Sequence, residues 1–134
     1  MKRLKILNIA LIAIAIVLEA LPFGIELNWE LGTGLSTTMY YSYFNTIVWS
    51  ENGDLGPFLC SILSIIILVL IIVSFFLKTQ GRAFFMTLSA LSWAGLFFSI
   101  MPLMYDSFTL IGGFISAIMI LSAEINLVIR SKIK

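Results

Sequence analysis

Histidine is absent from the chain, and Cys60 is its single cysteine. Those two absences exclude a histidine-ligated haem, a His/Cys zinc site, an internal disulfide, a Cys-x-x-Cys redox pair and any nucleophile–histidine triad. Charge is nearly as scarce: 11% of the residues are Asp, Glu, Lys or Arg, against about 25% in an ordinary soluble domain. A net charge of +1 leaves no basic patch for a nucleic acid. With no nucleophile–base pair and no metal cluster in view, neither an enzyme nor a cofactor is expected. What fills the 134 residues is apolar, 60% hydrophobic with a mean hydropathy of +1.09. So small a body hides only a modest fraction of its surface. Most of that apolar surface must therefore face lipid.

About 20 helical residues cross the ~30 Å hydrocarbon layer. Four stretches qualify: 6–24, 57–77, 83–103 and 108–129. The expected fold is all-α, a bundle of four transmembrane helices forming one membrane domain over 1–134, with a partly β-structured extracytoplasmic loop at 25–56. Links of five residues or fewer force the later spans into antiparallel hairpins. All eight basic residues fall in alternate segments: Lys2, Arg3 and Lys5, then Lys78 and Arg82, then Arg130, Lys132 and Lys134. The segments between hold only acids, Glu26, Glu30, Glu51, Asp54 and Asp106. This bias puts both termini in the cytoplasm of a cell (cytoplasmic) membrane. A basic start before the apolar run Ile6–Leu18 also fits a signal peptide cleaved from residues 1–20, although Leu18 stands where a small residue is wanted.

Local signals mark the span ends. Pro22 and Gly24 stop the first helix, Gly56 and Pro57 open the second, Pro102 ends the third at Met101–Tyr105, and Asp106 or Ser107 caps the fourth. Helices in lipid associate through small residues and interhelical hydrogen bonds. Ala90 with Ala94, Gly95 with Ser99, Gly112 with Ser116, and Gly113 with Ala117 are four-spaced pairs, expected to bring the third and fourth spans together. Ser61 and Ser64 are expected to bond to their own preceding carbonyls, and Cys60 to be a small buried side chain.

Two carboxylates lie inside spans. Each costs roughly 2.5–3.5 kcal/mol on insertion scales. Glu19, one turn from the outer surface, is expected to extend outward to water. Glu124 is deeper, and Asn8, Ser74 and Thr87 stand at similar depth on the other spans, with Arg82 the nearest cation. Their convergence would make a polar layer, either a structural clamp on helix register or a proton or ion site. The outer loop offers the other candidate surface, with Trp29, Tyr40, Tyr41, Tyr43 and Trp49. Its stretch Thr37–Trp49 is β-prone, Leu31–Leu35 is a glycine-flanked turn, and a first strand is expected near Ile25–Trp29.

A long first outer loop with strand-like residues and a short second one is similar to the claudin-like tetraspan arrangement. This loop has Trp29 and Trp49 but lacks the two cysteines of that plan, so the resemblance covers topology alone. In size and in carrying Glu19 in the first span, the chain also resembles small multidrug transporters. There the glutamate is near the membrane middle and the loops are short. Two functions follow: an accessory or interaction protein binding the bilayer and a membrane-protein partner or a second copy, or a small proton- or ion-coupled transporter or channel component.

Overall fold

A computed structural model describes residues 1–77 and 81–133; Lys78 and Lys134, two of the basic residues behind the expected orientation, lie outside them. The elements are α1 (Lys2–Ala20), β1 (Ile25–Glu30), β2 (Ser36–Tyr41), the short α2 (Ile47–Asn52), α3 (Gly56–Phe76), α4 (Arg82–Ile100), a 3-10 turn (Met101–Tyr105) and α5 (Leu110–Lys132). The helix ends follow the local chemistry. Leu21, forced toward extended backbone by the proline after it, ends α1 with φ −68° and ψ 140°. Pro57 opens α3, and Pro102 converts the end of α4 into the 3-10 turn. Thr109, rather than Asp106 or Ser107, caps α5, its hydroxyl accepting the Gly112 N–H at 3.2 Å. Asp106 takes a left-handed conformation, φ 54°, to end the 3-10 turn.

Three helices are long and apolar enough to cross a membrane: α3, α4 with its 3-10 extension, and α5. At 19 residues α1 equals α4 in length, but it carries Lys2, Arg3, Lys5 and Glu19 and falls outside that group.

The four long helices form a ring in which α3 packs on α4, α4 on α5, and α1 against both α5 and α3. Buried positions recur at alternating spacings of three and four: Asn8, Ile12, Ala15 and Glu19 on α1, and Cys60, Ser64, Ile67, Ile71 and Ser74 on α3. On α4 the stripe is Phe85, Leu88, Ser92, Gly95 and Ser99. A seven-residue period suits left-handed packing at about 20°. The polarity is the reverse of a soluble bundle. Ser61, Ser64 and Ser74 of α3 are buried, whereas Ile65, Ile66, Val69, Ile72 and Phe76 are exposed.

β1 and β2 pair antiparallel from Ile25 opposite Tyr41 to Glu30 opposite Ser36. Gly32, Thr33 and Gly34 turn the chain with φ of 75°, 49° and 76°. Strand structure stops at Tyr41; Ile47–Trp49, expected as strand, is helical in α2, because the Asn45 side chain accepts the Ile47 N–H at 2.9 Å and Gly53 closes the helix with φ 75°. A lone two-stranded hairpin is marginal, and this one is tied down at its base. The Glu26 N–H donates to the Ser107 carbonyl at 3.0 Å, Thr109 Oγ1 to the Gly24 carbonyl at 2.7 Å, and the Tyr43 N–H to the Glu19 carbonyl at 2.9 Å.

Gly56 marks a close approach of α3 to the end of α4 and the 3-10 turn: a Cβ there would stand 2.6 Å from the Phe98 carbonyl oxygen and 2.7 Å from Met101 Cβ. Gly56→Ala is therefore expected to destabilise by ~1–3 kcal/mol. Gly113→Ala, whose Cβ would meet only Phe108 ring atoms at 3.7 and 3.8 Å, should be neutral or gain up to ~1 kcal/mol of helix propensity. Thermal midpoints in detergent check both, and an unchanged midpoint for Gly56→Ala would contradict the close approach.

Candidate functional site

Polar side chains inside the bundle gather in two layers. Nearer the termini, Asn8 of α1 meets Ser122 and Asn126 of α5, and Ser122 in turn meets Ser92 of α4, all four fully buried. Asn8 Nδ2 donates to Asn126 Oδ1 at 2.9 Å, and the Ser122 hydroxyl donates to Asn8 Oδ1 at 2.7 Å. Since that uses the Ser122 proton, Ser92 is the donor when the two hydroxyls pair at 3.2 Å, in competition with the Leu88 carbonyl at 3.0 Å. Asn126 Nδ2 has no partner among the described residues.

At the hairpin end, Ser99 and Ser116 pair at 2.7 Å across α4 and α5. Between the layers, Gly95 leaves room for Met119. Tyr43 stands over this end, its hydroxyl donating to the Ser99 carbonyl at 3.3 Å. Glu19 lies beside it, fully buried. Its Oε1 accepts the Ser64 hydroxyl at 2.6 Å and the Cys60 thiol at 3.6 Å, while Oε2 has no partner. Asp54, also buried, accepts the Gly56 N–H on Oδ1 at 3.0 Å and leaves Oδ2 unpartnered. Burial pushes the Asp54 carboxyl above its ordinary range, against the Gly56 N–H, which favours the charged form. Burial, then the neighbouring Cys60, Glu19 and Asp54, also pushes the Tyr43 phenol up.

Above this layer an open cleft of about 280 Å³ is lined by Glu26, Leu27, Asn28, Trp29, Glu51, Tyr105 and Asp106. The indole nitrogen of Trp29 is buried there without a hydrogen-bond partner. Among the described residues, no three His, Cys, Asp or Glu side chains come together to hold a metal ion.

The polar layer thus forms around different residues from those expected. Of the proposed set only Asn8 belongs to it. Glu124 is exposed, because it lies two residues, about 200° of helix, from the inward-facing Asn126. Thr87 is exposed and donates to the Ala83 carbonyl at 3.0 Å. Ser74 is buried and donates to the Ile71 carbonyl at 2.6 Å, and Arg82 is tied through Nε to the Ile133 carbonyl at 2.9 Å. Glu19 turns inward instead of outward, since its place on the α1 stripe puts it against the Ser64 and Cys60 donors and under Tyr43.

The small-residue pairs divide in the same way. Gly95, Ser99 and Ser116 lie at the α4–α5 seam and Gly112 is buried beneath Tyr43 and Phe108, whereas Ala90 and Ala117 are exposed and Ala94 and Gly113 half-buried. Of the loop aromatics, Tyr43 is a buried post, Trp29 and Tyr41 are half-buried, and Tyr40 and Trp49 are exposed. Asn126, Ser122 and Asp54 were the residues missed. Asn126 and Ser122 extend the three- and four-residue spacing of Gly112, Ser116 and Met119 on α5, which is the signal that could have found them. Compared with known proteins, the chain matches no family model, no curated protein and no solved structure.

Two measurements test these layers. In a double-mutant cycle of Asn8→Ala and Asn126→Ala, the coupling should be about 1 kcal/mol, as interhelical hydrogen bonds in lipid give; zero coupling would remove the contact. For Asp54 the folded form holds its proton more tightly than the unfolded chain, whose ordinary value is 3.8. Its contribution is therefore full below that value and is lost as pH rises toward the raised folded value. Asp54→Asn keeps an oxygen for Gly56 and should flatten the fall in thermal midpoint as pH rises above about 4. Parallel profiles would mean that Asp54 is already ionised when folded.

Proposed function

We propose that the protein is a four-span component of the cytoplasmic membrane, with both termini in the cytoplasm and the hairpin outside, acting as a non-enzymatic accessory subunit that binds another membrane protein. Two features favour α1 as the fourth span. Its basic residues sit at one end, and Glu19 is enclosed by the bundle, leaving an apolar exterior from Ile6 to Leu18. Orientation rests on charge: Lys2, Arg3, Lys5, Arg82, Arg130 and Lys132 lie toward the termini, and Glu26, Glu30, Glu51 and Asp106 toward the hairpin.

The observation that carries the accessory reading is the exposure of Glu124. It lies within α5 on an outward stripe with Phe114, Leu121 and Val128. An ionisable group at that depth costs roughly 2.5–3.5 kcal/mol when it faces lipid, and it is relieved by a donor or cation from outside the bundle. A partner helix carrying such a group and packing on this stripe meets that requirement. The acidic, aromatic cleft beside β1 gives the same partner a second point of contact for a basic outer segment.

A second reading has its own support, the fully buried Glu19 with an unpartnered oxygen. On it, the protein is a proton- or ion-coupled transporter component that works as a homo-oligomer.

Native mass spectrometry of the protein extracted gently from its host membrane separates the two. The accessory reading expects a stoichiometric foreign subunit that Glu124→Ala weakens at least tenfold, with helicity and thermal midpoint unchanged because the side chain lies outside the bundle. A lone chain or homodimer, together with liposome proton uptake that Glu19→Gln abolishes, would overturn it in favour of transport.

A further inference from the structure

At the opposite end from the hairpin, the first turn of α4 and the last turns of α5 border an open cavity of about 360 Å³ lined by Arg82, Leu127, Arg130 and Ser131. That volume falls within the roughly 300–1,000 Å³ of small-ligand pockets. Among the described residues, two cations and no acid line it. Arg82 Nε is committed to the Ile133 carbonyl at 2.9 Å, which anchors the guanidinium while its Nη groups keep no partner among the described residues. Arg130 makes no side-chain hydrogen bond or ion pair there either. The first turn of α4 carries neither a side-chain cap nor an acidic residue. Along α5 the nearest acid is Glu124, six residues or about 9 Å deeper than Arg130, and it does not line the cavity.

We infer that this cavity is an anion site for a phosphate ester, occupied in the membrane by the headgroup phosphate of an anionic phospholipid. Two guanidinium forks lining one cavity match phosphate oxygens better than isolated ammonium groups do. Basic pockets between helices at the cytoplasmic boundary take anionic headgroups in this way. On the four-span reading, on which the choice of ligand source rests, both arginines lie at the ends of apolar helices, level with the headgroups. Leu127 then borders the start of the acyl chains.

The test uses the full chain in micelles doped with phosphatidylglycerol or phosphatidylcholine, with bound lipid counted by native mass spectrometry. Wild type should retain one phosphatidylglycerol at least tenfold more strongly than phosphatidylcholine. Arg130→Gln, which leaves the Arg82 anchor intact, and the pair Arg82→Gln with Arg130→Gln should each lose that preference at unchanged helicity. Lys132→Gln, at the same boundary, should keep it. Retention that resists excess inorganic phosphate assigns the site to lipid, whereas displacement with the same arginine dependence assigns it to the free ion. Equal retention of the two lipids, or an equal loss in Lys132→Gln, would overturn the inference. Extraction of host membranes with alkaline carbonate checks the membrane reading separately: release into the soluble fraction would sink that reading whatever the lipid counts show.

Discussion

The seam of hydrogen bonds between α4 and α5 is the constraint on which the bundle depends. Between helices in lipid the hydrophobic effect supplies no attraction, so close approach and polar pairing have to do so. Ser92 with Ser122 and Ser99 with Ser116 make two such pairs, and Gly95 lets Met119 fit between them. A slip of α5 by one residue would break both pairs and swing Asn126 away from Asn8. The same seam thus sets where α1 docks, because Asn8 bonds to Ser122 and Asn126 together.

The hairpin end rests on that arrangement. The hydroxyl of Thr109 caps α5 and holds the Gly24 carbonyl, so a single side chain sets both the start of the helix and the base of β1. Tyr43 stands on the Ser99 carbonyl and covers Glu19, which in turn holds Ser64 and Cys60 of α3. A two-stranded sheet with one face exposed has little stability of its own, and these contacts are what keep it in place. They also enclose two carboxyl groups, each with one oxygen left unpartnered.

The outer chemistry differs from end to end. An acidic cleft with aromatic walls lies by the hairpin, an arginine-lined cavity lies by the termini, and Glu124 stands between them on an apolar stripe. Buried polar groups here mostly satisfy one another and hold the helices in register. Glu124 instead faces out among apolar side chains, on the exterior of the bundle.

Sequence alone determined the four long helices, most of their ends and the glycine turn of the hairpin, but neither the short α2 nor the Thr109 cap of α5. What it determined follows from local causes: apolar length, proline geometry and positive φ at Gly32 and Gly34. It could not determine how each helix is rotated, and so Glu124 was placed inside and Glu19 outside. In water the contrast between apolar and polar faces reveals the inward side of a helix. Where both the core and the surroundings are apolar that contrast disappears, and side-chain interlocking decides. Ser116, Ser122 and Asn126 can all face α4 or α1 only in the one rotation that turns Glu124 away, a condition that exists only once the neighbouring helices are in place.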